Sequence, residues 1–276
     1  MKCNKIAVVG LGLIGGSVLK ALQGFEDAVF YGIDQNEEVL SEAKSQGLIC
    51  DAGLHPDEIT RIADVTFICL PPDATVTFIN EHTFKKNALV TDVSGVKQAI
   101  YAGICNTEID FIGGHPMAGK EVNGFGASDA DLFRNASYLL TPTEKNLPEH
   151  VALLKKMADY MGCREIVLTT PQEHDMMIAY TSQLMHIVAV VLCDSGRLDA
   201  SKHFSAGSLR DCTRVAKLDS RLWSRLFLLN QEELVRCIDE FSHSLQKMRD
   251  LIQSDNEAEL KAFLEACSDR KNRFLA

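Results

Sequence analysis

The feature that most constrains the fold is a glycine-rich stretch directly after the first apolar run of the chain. Residues 5–9 read KIAVV, which is typical of a strand buried on both faces. Gly10, Gly12 and Gly15 follow with the spacing GxGxxG and open a predicted helix. In such a turn the first glycine permits a tight bend, the second lets the backbone approach a pyrophosphate, and the third lets the helix pack on the strand. This context predicts a dinucleotide-binding Rossmann domain.

An acidic residue at the end of the second predicted strand bears on the choice of cofactor. The strand over residues 28–33 leads into Asp34, whose carboxylate can accept hydrogen bonds from both ribose hydroxyls of NAD and would repel the 2′-phosphate of NADP. Gln35 and Asn36 follow, so neither neighbour is a cation that could receive that phosphate. We therefore expect NAD. The residues expected to contact it are Gly10, Gly12, Leu13, Ile14, Gly15, Asp34, Leu70 and Pro71.

Strands and helices alternate over the first part of the chain and then give way to helices alone. Further strands are predicted at 65–70, 88–91, 111–112, 138–140 and 165–168, with a helix around 148–161. Such alternation implies a doubly wound, mostly parallel sheet with right-handed crossovers. After Thr170 no segment is typical of a strand. We therefore predict an α/β domain over residues 1–168 and an all-α domain over residues 169–276.

Helical periodicity describes most of the second half. Residues 174–193 carry an apolar stripe, and a separate row from Asp175 to His186 shares another face, which by itself is typical of a solvated surface. Residues 234–252 form a short heptad stripe, typical of one helix in a bundle core. Residues 254–256 offer caps for a final helix.

Composition argues against several classes of protein. The net charge is −10 with no basic block, so we expect no nucleic-acid partner. The chain starts almost directly with a strand, and its longest apolar run, residues 187–193, is too short for a bilayer, so we expect neither a signal peptide nor a membrane segment. The nine cysteines include no CxxC pair and are interpreted as small buried hydrophobes of a reducing cytoplasm, with no disulfide and no metal site.

Two segments carry side chains suited to chemistry. His115 lies in GGHPMAGKE just past a predicted strand, where doubly wound sheets bind their ligands. A histidine there can bond a substrate hydroxyl and act as its base, or it can merely shape a turn. Arg210 and Arg214 lie in FSAGSLRDCTRVAKLDSRLW, and arginine is well suited to bidentate capture of a carboxylate.

Five motifs in order, VVGLGLIGGS, TDVSGVK, GGHPMAGKE, HDxxxAxxSQLMH and GSLRDCTRVAKLDSRLW, resemble those of the prephenate/arogenate dehydrogenase family. The resemblance runs from about residue 5 to about residue 230. It implies a Rossmann domain followed by a helical domain that forms a homodimer. It also implies NAD-dependent oxidative decarboxylation of a small anionic substrate: prephenate to 4-hydroxyphenylpyruvate, or arogenate to tyrosine.

The resemblance also implies roles for individual residues. His115 matches the catalytic histidine, His186 a histidine near the substrate, and Arg214 the arginine that holds a substrate carboxylate. The residues expected to bind substrate are Ser94, Glu121, Ser182, His186, Arg214 and Trp223. We expect His115 and Arg214 to converge on one cleft. With no further regulatory domain in this length, tyrosine is expected to inhibit only by competition.

Two positions depart from the family pattern. The family serine three residues after the aspartate of TD is replaced by Gly95, and Ser94 stands one place earlier. A shifted loop or a water molecule could replace its hydroxyl. Gln183 stands where the family has a histidine, and it retains hydrogen-bonding capacity but cannot titrate. The choice between prephenate and arogenate stays open.

Two other classes of function are alternatives. One is a different two-domain NAD enzyme, such as a hydroxyacid dehydrogenase or an imine reductase. A hydroxyacid dehydrogenase would need a catalytic lysine in the first helix of the second half, and residues 174–193 contain none. The other is a non-enzymatic NAD-binding sensor, which would not need His115 and Arg214 in one site.

Overall fold

The computed structural model describes residues 3–51 and 53–275, and its first part is built on a parallel sheet. The strands are β1 Lys5–Val9, β2 Val29–Ile33, β3 Val65–Ile68, β4 Leu89–Asp92 and β5 Asp110–Phe111. They lie in the order β2-β1-β3-β4-β5, and all neighbours run parallel. Every residue of β3 and β4 is buried, as expected for strands covered on both faces. The predicted parallel sheet is confirmed.

A second sheet follows, and the sequence predicts only part of it. It consists of β6 Gly113–Pro116, β7 Ser137–Thr141 and β8 Glu165–Leu168. β6 pairs antiparallel with β7, and β7 pairs parallel with β8. β6 was not predicted because its sequence, GGHP, lacks the residues that favour strands. The glycine is needed, since a Cβ on Gly114 would lie 2.8 Å from the carbonyl oxygen of Asp92. His115 therefore lies within a strand that passes close to the end of β4.

Helices cover both faces of the parallel sheet. They are α1 Leu13–Ala21, α2 Glu37–Ser45, α3 Pro56–Thr60, α4 Pro72–Glu81, α5 Gln98–Gly103 and α6 Pro148–Tyr160. The cap predicted at Asn36 is confirmed, because its side-chain oxygen accepts a hydrogen bond from the backbone of Glu38 at 2.9 Å. Phe67 and Ile68, neighbours in β3, belong to separate buried apolar clusters. The two faces of the sheet thus have separate cores.

Beyond β8 the described residues contain helices and turns, which confirms the predicted fold class. The helices are α7 Pro171–Ile178, α8 Leu184–Cys193, α9 Gly207–Thr213, α10 Ser220–Leu229, α11 Gln231–Gln253 and α12 Glu257–Leu275. A π-helical turn, Ala179–Gln183, joins α7 to α8, so they form one continuous helix. Asn256 accepts a hydrogen bond from the backbone of Glu259 at 3.2 Å, which confirms the predicted cap before α12.

The burial of the continuous helix α7–α8 differs from the prediction on both faces. Asp175 and Ala179 are fully buried, so the expectation of a solvated polar row is wrong. Within the apolar stripe, Met177, Met185 and Val191 are exposed, whereas Ile178 and Leu184 are buried. Periodicity shows which residues share a face, and the burial of Asp175 is accompanied by hydrogen bonds to another element, described below.

The same helix, Pro171–Cys193, is long and apolar enough to cross a membrane when only length and composition are considered. The run at 187–193 did not suggest this, because Asp175 and His186 interrupt the apolar sequence. In this structure 28% of its apolar window is buried, and its buried aspartate accepts hydrogen bonds from the backbone amides of Lys97 and Gln98. That the protein has no membrane segment stays a prediction.

The chain forms two compact units, Met1–Asn230 and Gln231–Ala276. The first includes α7–α10 as well as both sheets, and the second consists of α11 and α12. Within α11 the heptad stripe begins at buried Leu234, whereas Leu245 and Ile252 are exposed. That this stripe belongs to a bundle core stays a prediction. The strands end at the predicted boundary between residues 168 and 169, but the assignment of residues 169–276 as one domain stays a prediction.

Candidate active site

The glycine-rich turn has the geometry that a pyrophosphate needs. Gly10 has a φ of +82°, and a Cβ there would lie 2.6 Å from the carbonyl oxygen of Cys69. A Cβ on Gly15 would lie 1.9 Å from the carbonyl oxygen of Gly10, so both positions require glycine. At Gly12 no described heavy atom lies within 4 Å of the Cβ position, so the loop leaves space for a ligand. Helix α1 begins next, and its free amide groups favour an anion.

Asp34 is held beside this turn by backbone amides. Its Oδ2 accepts a hydrogen bond from the amide of Leu11 at 2.7 Å, and its Oδ1 accepts one from the amide of Asn36 at 2.8 Å. A carboxylate has about four acceptor positions, so these two bonds leave capacity for ribose hydroxyls. The turn and the acid together fit an NAD nucleotide.

A cleft of about 580 Å³ extends from the glycine-rich turn to α8 and α10. It brings together ten of the predicted site residues. These are Gly12, Leu13, Ile14, Leu70, Pro71, Ser94, His115, Ser182, His186 and Trp223. Gly10, Gly15 and Asp34 shape the turn without lining the cleft, and Glu121 and Arg214 also lie outside its lining.

His115 faces this cleft from β6, and a second histidine holds its other side. The Nδ1 atom of His115 lies 2.9 Å from Nε2 of His174, whose Nδ1 lies 2.7 Å from Oδ1 of Asp175. A Cβ built on Gly95 would lie 3.9 Å from Nε2 of His115. Burial, with smaller contributions from Lys97 and His174, holds the pKa of His115 well below its usual value. The imidazole is therefore neutral at pH 7 and can accept a proton.

A buried ion pair at the end of β4 supports this arrangement. Nζ of Lys97 donates to Oδ2 of Asp92 and to the carbonyl oxygen of Ser94, each at 2.7 Å, and both ionic side chains are fully buried. Burial lowers the pKa of Lys97, and the nearby Asp92 opposes that shift. Asp92 also accepts backbone hydrogen bonds from Ser94 at 2.9 Å and from Gly114 at 3.1 Å. The pair thereby joins β4, the loop before α5, and the strand that carries His115.

The loop TDVSGVK places its glycine, and not its serine, against the catalytic candidate. A Cβ on Gly95 would lie 3.8 Å from Cε1 of His115, an ordinary contact distance. The hydroxyl of Ser94 is buried beside the cleft and has no hydrogen-bond partner among the residues described. Because an unpaired buried hydroxyl is costly, Ser94 is suited to bond a group that enters the cleft. The structure does not show the shifted loop in which Ser94 would bond His115.

Gln183 lines the cleft, but its amide group is occupied within the protein. Its Oε1 accepts a hydrogen bond from Nδ2 of Asn230 at 2.8 Å, and its Nε2 donates to the carbonyl oxygen of Leu226 at 3.4 Å. Asn230 also donates to the carbonyl oxygen of Asp175 at 2.9 Å. These bonds tie the end of α10 to the helix α7–α8, so Gln183 serves packing here.

Arg214 lies beside the cleft and pairs with Glu121. Their Nη1 and Oε1 atoms lie 3.0 Å apart, and both side chains are largely exposed. The expected convergence of His115 and Arg214 is therefore met only in part, since His115 lines the cleft and Arg214 does not. In this structure the guanidinium of Arg214, which was expected to bind a substrate carboxylate, is paired with the carboxylate of Glu121.

His186 lines the cleft and contacts the backbone next to Arg214. Its Nδ1 lies 3.0 Å from the carbonyl oxygen of Val215, and its ring packs on Trp223 with centroids 3.7 Å apart. Burial lowers the pKa of His186, Arg214 lowers it further, and the bond to Val215 opposes the shift. The part of the cleft lined by His186 and Trp223 is thus neutral in itself and has a cation beside it.

The sequence did not identify the buried partners of His115. The sequence pattern does not single out His174, it places Asp175 in a row typical of a solvated surface, and it shows Asp92 and Lys97 only as members of the TDVSGVK motif. Each of these residues is ionisable and stands next to an apolar run. An ionisable residue that is buried in such a place is almost always paired, so this position in the sequence indicates a buried pair. The two residues HD at the start of HDxxxAxxSQLMH, and the ends of DVSGVK, carry that signal.

Two family models match the chain. The model described as the nucleotide-binding domain of prephenate dehydrogenase matches residues 18–167, and the model described as its dimerisation domain matches residues 170–266. Among curated relatives, cyclohexadienyl dehydrogenase of Zymomonas mobilis is 32% identical over 95% of this chain and 93% of that protein. Prephenate dehydrogenase of Bacillus subtilis is 29% identical over 98% of this chain and 76% of that protein.

Solved structures agree with these matches. Prephenate dehydrogenase from A. aeolicus, in complex with hydroxyphenyl propionate and NAD+, superposes with a TM-score of 0.85 at 28% identity and covers 99% of both chains. Synechocystis arogenate dehydrogenase superposes with a TM-score of 0.84 at 30% identity and covers 98% of this chain and 99% of that chain. Both the Rossmann domain and the helical part therefore have counterparts in solved structures.

Proposed function

Because this chain belongs to the prephenate dehydrogenase family and is an NAD-dependent dehydrogenase, we propose that it converts prephenate to 4-hydroxyphenylpyruvate by oxidative decarboxylation. The observation that carries the proposal is the neutral imidazole of His115, which faces a cleft that begins at the glycine-rich turn. A hydride acceptor and a proton acceptor on one cleft are the two requirements for oxidising a ring alcohol.

The proton in this reaction goes to His115. When bound, NAD supplies the acceptor for the hydride that leaves the ring carbon bearing the hydroxyl. The imidazole of His115 accepts the hydroxyl proton, so the O–H bond breaks as the C=O bond forms. The bond to the ring carboxylate then breaks and CO₂ leaves. Its electron pair enters the ring and reaches the carbonyl oxygen, which takes the proton back from His115 as the ring becomes aromatic. The low pKa of His115 keeps its ring unprotonated at the start of this sequence.

The remaining cleft residues are proposed to hold the substrate. We assign substrate contacts to Ser94, Glu121, Ser182, His186, Arg214 and Trp223. The unpaired hydroxyl of Ser94 offers a hydrogen bond from the wall of the cleft. Arg214 can turn from Glu121 to a substrate carboxylate, since both are exposed and such exposed pairs contribute little free energy.

Arg214→Ala is expected to raise KM for prephenate by about 10- to 100-fold with little change in kcat. A charge-assisted hydrogen bond of about 1.5–3 kcal/mol is lost equally from the bound substrate and from the transition state. Steady-state kinetics measures the two constants, and Arg210→Ala, an exposed arginine in the same segment, is the matched control. A lower kcat at unchanged KM would exclude this role.

Asp34→Ser is expected to weaken NAD binding by about 10-fold or more and to reduce the discrimination against NADP. The serine cannot replace a carboxylate that accepts bonds at two oxygens, and charge-assisted bonds of this kind contribute about 1.5–3 kcal/mol each. Isothermal titration with each cofactor gives the dissociation constants. Asp34→Asn is the control, because its side chain has the same size and keeps one acceptor oxygen but carries no charge. It therefore shows whether affinity is lost through the charge or through collapse of the loop. Unchanged affinity for both cofactors would remove Asp34 from the nucleotide site.

The proposed activity is tested by incubating the protein with NAD and prephenate, and separately with NAD and arogenate, and following NADH absorbance. We expect NADH with prephenate. A clear preference for arogenate would support the alternative, arogenate dehydrogenase, which the structural similarity to Synechocystis arogenate dehydrogenase favours. No NADH with either compound would leave another NAD-dependent dehydrogenase as the better description. The same assay with NADP compares the cofactors.

We also propose that two copies associate through the helical part, in the cytoplasm. The match of residues 170–266 to a dimerisation domain supports this. Met177, Met185 and Val191 leave an apolar face of α7–α8 exposed, which a second copy would cover. Light scattering should give about twice the chain mass of 30.5 kDa. A mass of one chain at micromolar concentration would rule out the dimer.

A further inference from the structure

We propose that His174 and Asp175 are positioning residues that hold His115 in one tautomer, with its proton on Nδ1 and a lone pair on Nε2. The catalytic consequence rests on the proposed function, whereas the tautomer itself can be tested without any substrate. The inference follows from three hydrogen bonds whose donors can be assigned in turn.

The assignment begins at Asp175, which is fully buried. Its Oδ1 accepts a hydrogen bond from the amide of Lys97, and its Oδ2 accepts one from the amide of Gln98, each at 2.8 Å. Both oxygens are therefore acceptors, as in an ionised carboxylate. Such a carboxylate has no proton to donate, so in its 2.7 Å contact with Nδ1 of His174 the imidazole is the donor.

The proton on His174 then decides the state of His115. Burial holds the pKa of His174 below its usual value, and the bond to Asp175 opposes that shift without reversing it. A neutral His174 with its proton on Nδ1 has a lone pair on Nε2. That atom lies 2.9 Å from Nδ1 of His115, so His115 must be the donor. Its proton is on Nδ1 and its lone pair is on Nε2.

The opposite tautomer of His115 conflicts with the structure. It would place two lone pairs 2.9 Å apart, on Nδ1 of His115 and Nε2 of His174. It would also present an N–H to the cleft, where the proposed reaction needs an acceptor. Once Nε2 has taken the hydroxyl proton, the Nδ1–H of the imidazolium keeps its bond to His174. The charge of Asp175, beyond that ring, then stabilises the cation, while Lys97 is neutralised by Asp92.

The tautomer is measured directly by two-bond ¹⁵N–¹H NMR correlations in protein labelled at histidine, without substrate. His115→Asn identifies the signals of His115 by their loss. We expect the pattern of a neutral ring protonated on Nδ1 for both His115 and His174. A proton on Nε2 of His115 in the wild-type protein would overturn the proposal, whatever the protein catalyses.

Two variants of His174 separate positioning from packing. In His174→Gln the side-chain oxygen can accept from His115 and the amide can donate to Asp175, whereas His174→Leu fills space without hydrogen bonds. We expect the leucine variant to lower kcat by about 100-fold or more, since a wrongly held histidine loses its function as base. The glutamine variant should restore kcat to within about 10-fold of wild type.

NAD binding shows whether a variant of His174 has lost only the positioning of His115 or has a wider structural defect. Trp223 is the one tryptophan of the sequence and lines the cleft, so its fluorescence reports NAD binding in inactive variants. We expect both variants to bind NAD as the wild type does, with KM for prephenate unchanged. Equal losses of kcat in the two variants, or wild-type kcat in His174→Leu, would overturn the proposal. If the wild-type protein oxidises neither prephenate nor arogenate, the proposed function fails while the NMR result still decides the tautomer.

Discussion

His115→Asn is expected to lower kcat by about 10²–10⁴-fold while NAD binds with unchanged affinity, because the variant removes the proposed proton acceptor and leaves the glycine-rich turn intact. An asparagine amide is not basic enough to take the hydroxyl proton. Steady-state turnover and Trp223 fluorescence measure the two effects. His203→Asn is the matched control, since His203 is exposed and outside the cleft lining, and it should alter neither. Turnover within a few-fold of wild type would remove His115 from catalysis.

The pH profile gives this prediction a second readout. The pKa of His115 is lowered well below its usual 6.5, so the ring remains a base as the pH falls through 6.5. We expect kcat/KM to keep its plateau there and to decline only at lower pH, and His115→Asn to abolish that decline. The same shift acts on stability. The unfolded chain takes up a proton near 6.5 and the folded chain does not, so stability is lost as the pH falls below 6.5. A midpoint above pH 6.5 in the kcat/KM profile of the wild-type protein would contradict the lowered pKa of His115.

Lys97→Met is expected to destabilise the protein by about 3–5 kcal/mol, because it leaves the carboxylate of Asp92 buried without its counter-charge. Urea unfolding followed by circular dichroism measures the free energy of unfolding. The double variant Lys97→Met/Asp92→Asn should recover part of the loss, since no buried charge then remains unpaired. Lys261→Met removes a lysine whose partner, Glu265, is exposed, and should change stability by about 1 kcal/mol or less.

A result for Lys97→Met within about 1 kcal/mol of wild type would mean that the buried pair contributes little beyond apolar packing. We expect the larger loss of stability because of where the pair lies. Asp92 accepts bonds from Lys97, Ser94 and Gly114, so the variant also loosens the strand that carries His115. Loss of stability should therefore be accompanied by loss of turnover.

The Rossmann domain could be predicted from the sequence because its signals are local. Gly10 has a φ of +82°, Gly15 is set by its contact with the carbonyl oxygen of Gly10, Asn36 caps the helix that follows it, and buried parallel strands appear as apolar runs. His115 was found because it follows such a strand. The GGHP strand around it was not, because its pairing with β7 depends on a close approach to the carbonyl of Asp92, a contact between segments far apart in the chain.

The sequence alone determined the Rossmann domain and predicted the residues of the NAD site and His115 as the proton acceptor, since these signals lie in short segments that follow predicted strands. Tertiary structure decided which face of α7–α8 is buried, what holds His115, and that Arg214 is paired with Glu121. Helical periodicity shows which residues share a face but not what covers that face. The partners of His115 and Arg214 lie 59 and 93 residues away in the chain, so only folding brings them within hydrogen-bond distance.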